Sequence, residues 1–313
     1  MINDIKNALI VGNGFDLDLE LNTKFSDFAS STEYWPKQDG SKLSAYLEKQ
    51  KSITNWFDLE GALLNYASNN LFGNEYAKKP DEIQDDLEYF EKVRAGLIGY
   101  LAKEQEKQIS TSSTAARLLG AISANSCFKY VYTLNYTDLN QFAKRLGVER
   151  LGEAHYLHGS LKDKDIIIGV NHSHVREGYQ NWRKCRSVYY KSHNLFSDLD
   201  EAKEVIFFGV SFGIIDYKYF DQFFKRVSAR AEEPISESKR KNITIFTYSE
   251  KDRTAILDFL VGMKVDLEYL FSQTNFNIIR TKDNIDEKKV EECLTRLNKS
   301  RPMYLPLPNG RYC

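Results

Sequence analysis

The chain has 313 residues, room for one large domain or one domain carrying a substantial insert. Its composition, 42% hydrophobic, 13% aromatic and 28% charged, supplies enough apolar surface to exclude disorder as the main state. With 43 basic against 44 acidic side chains and a net charge of -1, it lacks the basic excess of a protein that wraps nucleic acid, so nucleic acid is an unfavoured partner.

The opening stretch MINDIKNALIVGNGFD has no basic segment followed by a long apolar core, and no apolar run is long enough to cross a bilayer. A cytoplasmic location without membrane contact is the expectation. Residues 7–11 form the first predicted strand, and Gly12-Asn13-Gly14-Phe15-Asp16 follows it directly. Two glycines there let the backbone turn tightly and approach a ligand phosphate. Leu17 stands where the third glycine of a dinucleotide fingerprint belongs, so a tight turn without ligand is the alternative. Asp16 either accepts from a sugar hydroxyl or caps a helix.

Residues 23–125 show no strand pattern. Helical patterns occupy 23–30, 41–50, 56–69, 81–107 and 111–124, with loops at 36–40 and 72–80. This stretch reads as a helical insert packed beside the sheet of one α/β domain. Its aromatics, such as Tyr66, Tyr89, Phe90 and Tyr100, form its own core or else an oligomer face. Trp56, Asp58 and Glu60 are spaced by two and cannot share one helical face; Glu60 either reaches a site or pairs with a lysine.

A second strand is predicted at 128–134, ending in Thr133-Leu134-Asn135-Tyr136-Thr137-Asp138. Asn135 projects from the strand's carboxyl end, where an amide can donate to and accept from a ribose or a water. Alternatively Asn135 or Asp138 only caps the helix beginning near Leu139. Next comes the turn His155-Tyr156-Leu157-His158-Gly159-Ser160, leading into a strand predicted at 165–170. His158 is a candidate general base, since imidazole exchanges protons near neutral pH. His172 and His174 lie close in sequence, but no H-E-x-x-H spacing or C-x-x-C pair exists, and Cys127, Cys185, Cys293 and Cys313 are scattered; no metal is expected.

The strand predicted at 204–210 runs into Gly209-Val210-Ser211-Phe212-Gly213, with a helix starting near Asp216. This second glycine-rich turn can complete a cradle for adenosine or phosphate, or be a turn with a cap. Residues 232–242 read as a mobile surface loop, 243–248 and 275–280 as further strands, and the terminal RPMYLPLPNGRYC, with three prolines, as an extended tail. That tail lies on the surface or reaches a neighbouring subunit.

The alternation of strands and helices predicts a Rossmann-like α/β fold, a mostly parallel sheet with helices on both faces. In such a sheet the carboxyl ends of the strands lie together. Gly12, Gly14, Asn135, Ser211 and His158 are therefore expected to converge on one site, the main reason to expect a bound nucleotide.

The ordered set GNGFD, Trp56-Phe57-Asp58-Leu59-Glu60, TLNYT, LHGS and FGVSFGIID resembles the bacteriophage abortive infection AbiH family, from Ile10 to about Asp252. That family in turn is similar to sirtuin-like domains, which in bacterial antiphage systems are associated with destroying NAD. The resemblance implies a sirtuin-like fold, NAD as substrate or ligand, and Asn135 and His158 as catalytic residues. It assigns nucleotide contact to Gly12, Asn13, Gly14, Phe15, Asp16, Thr133, Gly209, Ser211 and Asp216. Asn13 and Phe15 replace the alanine and serine of the usual sirtuin loop, and the zinc ribbon is missing. Without that ribbon, simple cleavage of the nicotinamide–ribose bond is favoured over protein deacylation. The rival readings are a nucleotide-binding sensor or interaction module without turnover, and a nuclease. A phage trigger, a partner protein and a homo-oligomer are the partners this implies.

Overall fold

The computed structural model describes residues 6–53, 57–68, 79–123, 128–148, 151–170, 175–213, 216–230 and 236–299. Six strands form one wholly parallel sheet: β1 (Asn7–Val11), β2 (Phe128–Thr133), β3 (Ala154–Tyr156), β4 (Glu204–Phe208), β5 (Lys241–Thr247) and β6 (Thr274–Arg280). Their order, β3-β2-β1-β4-β5-β6, is that of the Rossmann fold. The order reverses between β1 and β4, which pair in register from Asn7 with Glu204 to Val11 with Phe208.

Period-two alternation sends successive side chains of each strand to opposite faces, and both faces are covered. Leu9 and Val11 join Val131, Ile206 and Phe208 in one core, closed by α1 (Asn13–Asp18), α6 (Thr114–Ser123), α7 (Leu139–Arg145) and α12 (Glu287–Lys299). Ala8 and Ile10 join Tyr132, Val205 and Phe207 in the other, closed by α8 (Leu195–Glu201), α9 (Tyr217–Val227), α10 (Glu250–Gly262) and α11 (Leu267–Gln273). This is why β1 from Ala8 to Val11 and β4 from Val205 to Phe208 read as unbroken apolar runs rather than alternating ones. No helix among the described residues is long and apolar enough to cross a membrane.

Between β1 and β2 the chain adds α2 (Phe25–Ser30), α3 (Lys42–Ile53), α4 (Leu59–Ser68) and α5 (Pro80–Glu104) before α6. Helices occur at all five expected places, with ends that differ by a few residues: α3 runs on to Ile53 past the expected 50, and α5 stops at Glu104 short of the expected 107. These four helices build a third core; on α4 the stripe Leu59, Ala62, Leu63, Tyr66 and Ala67 has helical spacing and is fully committed to it. At its centre the Asp86 carboxylate accepts from the Leu43 amide at 2.7 Å and from the Tyr66 and Tyr179 hydroxyls, each at 2.5 Å. Helix α6 behaves differently, packing with α12 on the sheet.

Two expectations are corrected. The apolar run at 165–170 is not a strand of the sheet. Ile166, Ile168 and Val170 are buried in the third core, and Val170 makes only an isolated bridge to Arg183. The third strand is instead Ala154–Tyr156, inside the stretch read as a turn. An apolar run signals burial, and here the burial is against helices. In addition, β5 begins at Lys241, so the end of the loop expected at 232–242 is strand; residues 231–235 lie outside the described residues. The terminal tail, Trp56, His172 and His174 also lie outside them.

Candidate active site at the carboxyl ends of four strands

The turns after β1 and β4 meet at the point where the strand order reverses. The Gly12 amide donates to the Phe208 carbonyl at 2.9 Å, and the Gly14 amide to the Gly209 carbonyl at 3.1 Å. A Cβ on Gly12 would sit 2.6 Å from the Gly209 oxygen, and one on Gly14 2.6 Å from the Gly209 Cα. Gly209 has φ of +65°, and its own Cβ would lie 2.4 Å from the Gly14 Cα. The glycines are thus required by backbone-to-backbone contact between two turns. The Phe15 amide is likewise spent, on the Gly12 carbonyl at 2.9 Å, and the Phe15 ring is buried edge-on against Phe208. The Asn13 side chain accepts from the Thr23 hydroxyl at 2.6 Å.

Asp16 ties this turn to the next one. Its buried carboxylate accepts from Asn135 Nδ2 and from Thr137 Oγ1, each at 2.7 Å. Burial pushes the carboxyl up to about 7, against the lowering effect of those two hydrogen bonds. Asn135 Nδ2 also donates to the Gly12 carbonyl at 3.1 Å, and the Asn135 amide donates to Thr133 Oγ1 at 3.0 Å. Asp16 makes no capping bond for α1; Asp138, not Asn135, caps α7, accepting from the Asn140 and Gln141 amides.

His158 lies two residues past β3 and is 4% exposed. The Tyr136 and Tyr219 rings flank it at 6.4 and 5.7 Å between centroids. Lys184 Nζ stands 3.3 Å from Nδ1 and 3.2 Å from Nε2, and Asp216 Oδ1 is 3.4 Å from Nε2. That oxygen is buried with no hydrogen-bond partner among the described residues, although Asp216 occupies the N-cap position of α9. Burial and then Lys184 hold the imidazole well below its ordinary titration range, the Leu134 carbonyl acting the other way. Burial also raises the Asp216 carboxyl.

Glu60 and Lys184 complete the cluster. Lys184, 1% exposed, places Nζ at 2.9 Å from both oxygens of the Glu60 carboxylate. Glu60 accepts further from the Gly169 amide at 3.2 Å and the Tyr136 hydroxyl at 3.4 Å. Burial drives the Glu60 carboxyl up to about 7; Asp216 adds to the rise and Lys184 opposes it. Asp58 has a separate task at the start of α4, accepting from the Gly61 amide at 3.0 Å.

Of the residues singled out from the sequence, Gly12, Gly14, Asp16, Thr133, Asn135 and Gly209 form one connected group, and His158 with Asp216 a second. Leu134 and Tyr136, on either side of Asn135, both face His158. Ser211 is exposed and accepts from the Gly213 amide at 3.4 Å. Sequence reasoning did not single out Lys184 or Tyr219. In the basic run around Arg183 and Arg186, a lysine looks like a solvated side chain. No group of three or more metal-ligating side chains converges among the described residues. The arrangement suits proton transfer: a neutral imidazole can gain a proton beside a carboxylate oxygen that lacks a partner.

No match is found among curated proteins. The family model described as bacteriophage abortive infection AbiH matches residues 8–235, which carry β1 from Ala8 on, β2–β4, the intervening helices and every candidate site residue named above. The match spans well over half of the chain, and the chain therefore belongs to the AbiH family of bacteriophage abortive-infection defence proteins.

Proposed function

We propose that the chain defends against phage by hydrolysing NAD to nicotinamide and ADP-ribose, with His158 as general base and Asn135 orienting the ribose or the attacking water. The observation that carries this reading is the unpartnered Asp216 oxygen 3.4 Å from Nε2 of a buried, neutral His158. When the ring gains a proton, this contact becomes a charge-assisted hydrogen bond. The carboxylate therefore stabilises the imidazolium more than the resting ring, which is the differential binding that lowers a barrier.

The bond between the nicotinamide nitrogen and ribose C1′ breaks, and its electron pair neutralises the pyridinium ring. Water attacks C1′ and gives its proton to His158. Asn135 already spends Nδ2 on Asp16 and Gly12, so its amide oxygen is the end left to accept from a sugar hydroxyl or the water. With their amides bonded inside the protein, Gly12, Gly14 and Phe15 contribute shape to the nucleotide crevice rather than anion donors. An activity that drains NAD harms its own cell, which calls for a phage-dependent trigger.

Purified protein incubated with NAD is expected to release nicotinamide and ADP-ribose on chromatography. His158→Ala and Asn135→Ala should each lower the rate by roughly 10²-fold or more while remaining folded. Absence of both cleavage and NAD binding by calorimetry would overturn the proposal. The engagement of Asn135 by Asp16 favours one rival, a nucleotide sensor: binding would then occur without turnover, and Asn135→Ala would only weaken it.

A further inference from the structure

We propose that the buried Glu60–Lys184 pair is a positioning unit for His158, in which Lys184 keeps the imidazole neutral and Glu60 on α4 fixes Lys184 against it. The inference deepens the proposed function and rests on its reading of His158 as the proton acceptor.

The argument is one of donors and acceptors. An ammonium has three donors and no acceptor, and a protonated imidazole is a donor at both nitrogens. Lys184 Nζ lies within 3.3 Å of both ring nitrogens, so a charged ring would set donor against donor, and cation against cation, in a dry site. A neutral ring keeps one lone pair and can accept from Lys184. Two contacts of 2.9 Å to the Glu60 oxygens hold Lys184 Nζ in this place. The conflict is thereby resolved on the imidazole.

The geometry is built, not incidental. Lys184 is held by its own backbone, whose amide donates to the Val170 carbonyl at 3.1 Å, while the Val170 amide donates to Trp182 at 2.9 Å. At Gly169 a Cβ would sit 2.1 Å from the Trp182 carbonyl oxygen, so only glycine permits this clasp, and the same Gly169 amide binds Glu60. Glu60 comes from the helices inserted between β1 and β2, outside the sheet that carries His158. Those helices therefore help to set the proton acceptor.

The groups facing the ring act in opposite directions. Lys184, from the segment between β3 and β4, disfavours its protonation. Asp216, from the start of α9, favours it, and is itself acted on by Asp58. Tyr136 and Tyr219 flank the ring, and Tyr136 also hydrogen-bonds Glu60. Removing Lys184 must raise the proton affinity of His158, and removing Asp216 must not.

Histidine-labelled full-length protein followed by NMR across pH tests this directly, with the His158 signal assigned by its loss in His158→Gln. Lys184→Met is expected to move the His158 titration up by about one pH unit or more, a tenfold gain in proton affinity. The double variant Glu60→Gln/Lys184→Met should show the same direction without leaving Glu60 buried and alone, which guards against simple misfolding. Asp216→Asn should give no upward movement. A folded Lys184→Met or double variant whose His158 titrates as in the unaltered protein would overturn the proposal, since burial alone would then keep the ring neutral. In NAD cleavage the acid limb of kcat should follow the NMR shift, with KM unchanged. If the shift appears but no form cleaves NAD, the hydrolase reading fails and the positioning pair stands. If NAD is cleaved and His158 does not move, the reverse holds.

Discussion

Asp16 shows how a residue chosen for one reason can be held for another. Beside a glycine turn it reads as a ligand for a sugar, and in the fold both its oxygens are bound by Asn135 and Thr137. Its folded carboxyl titrates at about 7, raised by burial from an ordinary value of 3.8. Between those limits the folded state binds more protons than the unfolded one, so stability falls as pH rises. The contribution is complete below the unfolded value and lost once pH passes the folded one. Asp16→Asn keeps the shape and removes the charge. Urea unfolding at about pH 5 and about pH 8 should show the unaltered protein losing a few kcal/mol more than the variant. Equal losses would mean that Asp16 is ionised throughout. Asn135 was legible because it follows a predicted strand in a residue type able to do chemistry, and His158 because a histidine before a glycine at a turn is a candidate base. Lys184 was not, since only the tertiary path of the clasp at Gly169 carries it to the imidazole.

At the scale of elements, the central strands were legible because burial on both faces demands continuous apolar runs, and β1 is buried over all five residues and apolar from Ala8 to Val11. Strand β3 escaped because a three-residue edge strand containing His155 has no such signature. The run at 165–170 misled for the complementary reason: Ile166 and Ile168 are as buried as any strand residue, but against helices. Glycines separate in the same way, since their sequence context does not reveal what they touch. Gly209 combines a φ of +65° with contact against Gly14, so Gly209→Ala must push the β1 and β4 turns apart and should cost about 3 kcal/mol or more in denaturant unfolding. Gly120, on α6, has nothing within 4 Å of an added Cβ. Gly120→Ala should instead stabilise by roughly 0.5–1 kcal/mol through helix propensity. A Gly209→Ala protein as stable as the unaltered chain would show that the close approach of these turns is dispensable.

For the molecule as a whole, the question is whether the inserted helices form a separate unit. Their core is not self-sufficient: Leu161, Ile166, Ile168, Val170, Tyr179 and Trp182, from the connection between β3 and β4, fill it. The Tyr179 hydroxyl reaches Asp86 on α5 at 2.5 Å, and Arg94 Nε donates to the Ile166 carbonyl at 3.1 Å. These contacts span long stretches of chain and tie the insert to a segment that runs between two strands of the sheet. The insert and the sheet are therefore expected to unfold in one cooperative step. Tryptophan separates the two cases, because Trp35 and Trp182 lie in the inserted core and Trp56 falls in the same stretch of sequence between α3 and α4. Tryptophan emission thus reports on the insert, whereas far-UV circular dichroism reports on all helices and the sheet. In urea the two transitions should coincide. Tyr179→Phe, which removes one donor from Asp86, should shift both together by about 1–3 kcal/mol. A tryptophan transition at lower urea than the dichroic one would make the insert an independent unit. Glu60 could then leave Lys184 while the sheet stayed folded, uncoupling the imidazole from the helices that set it.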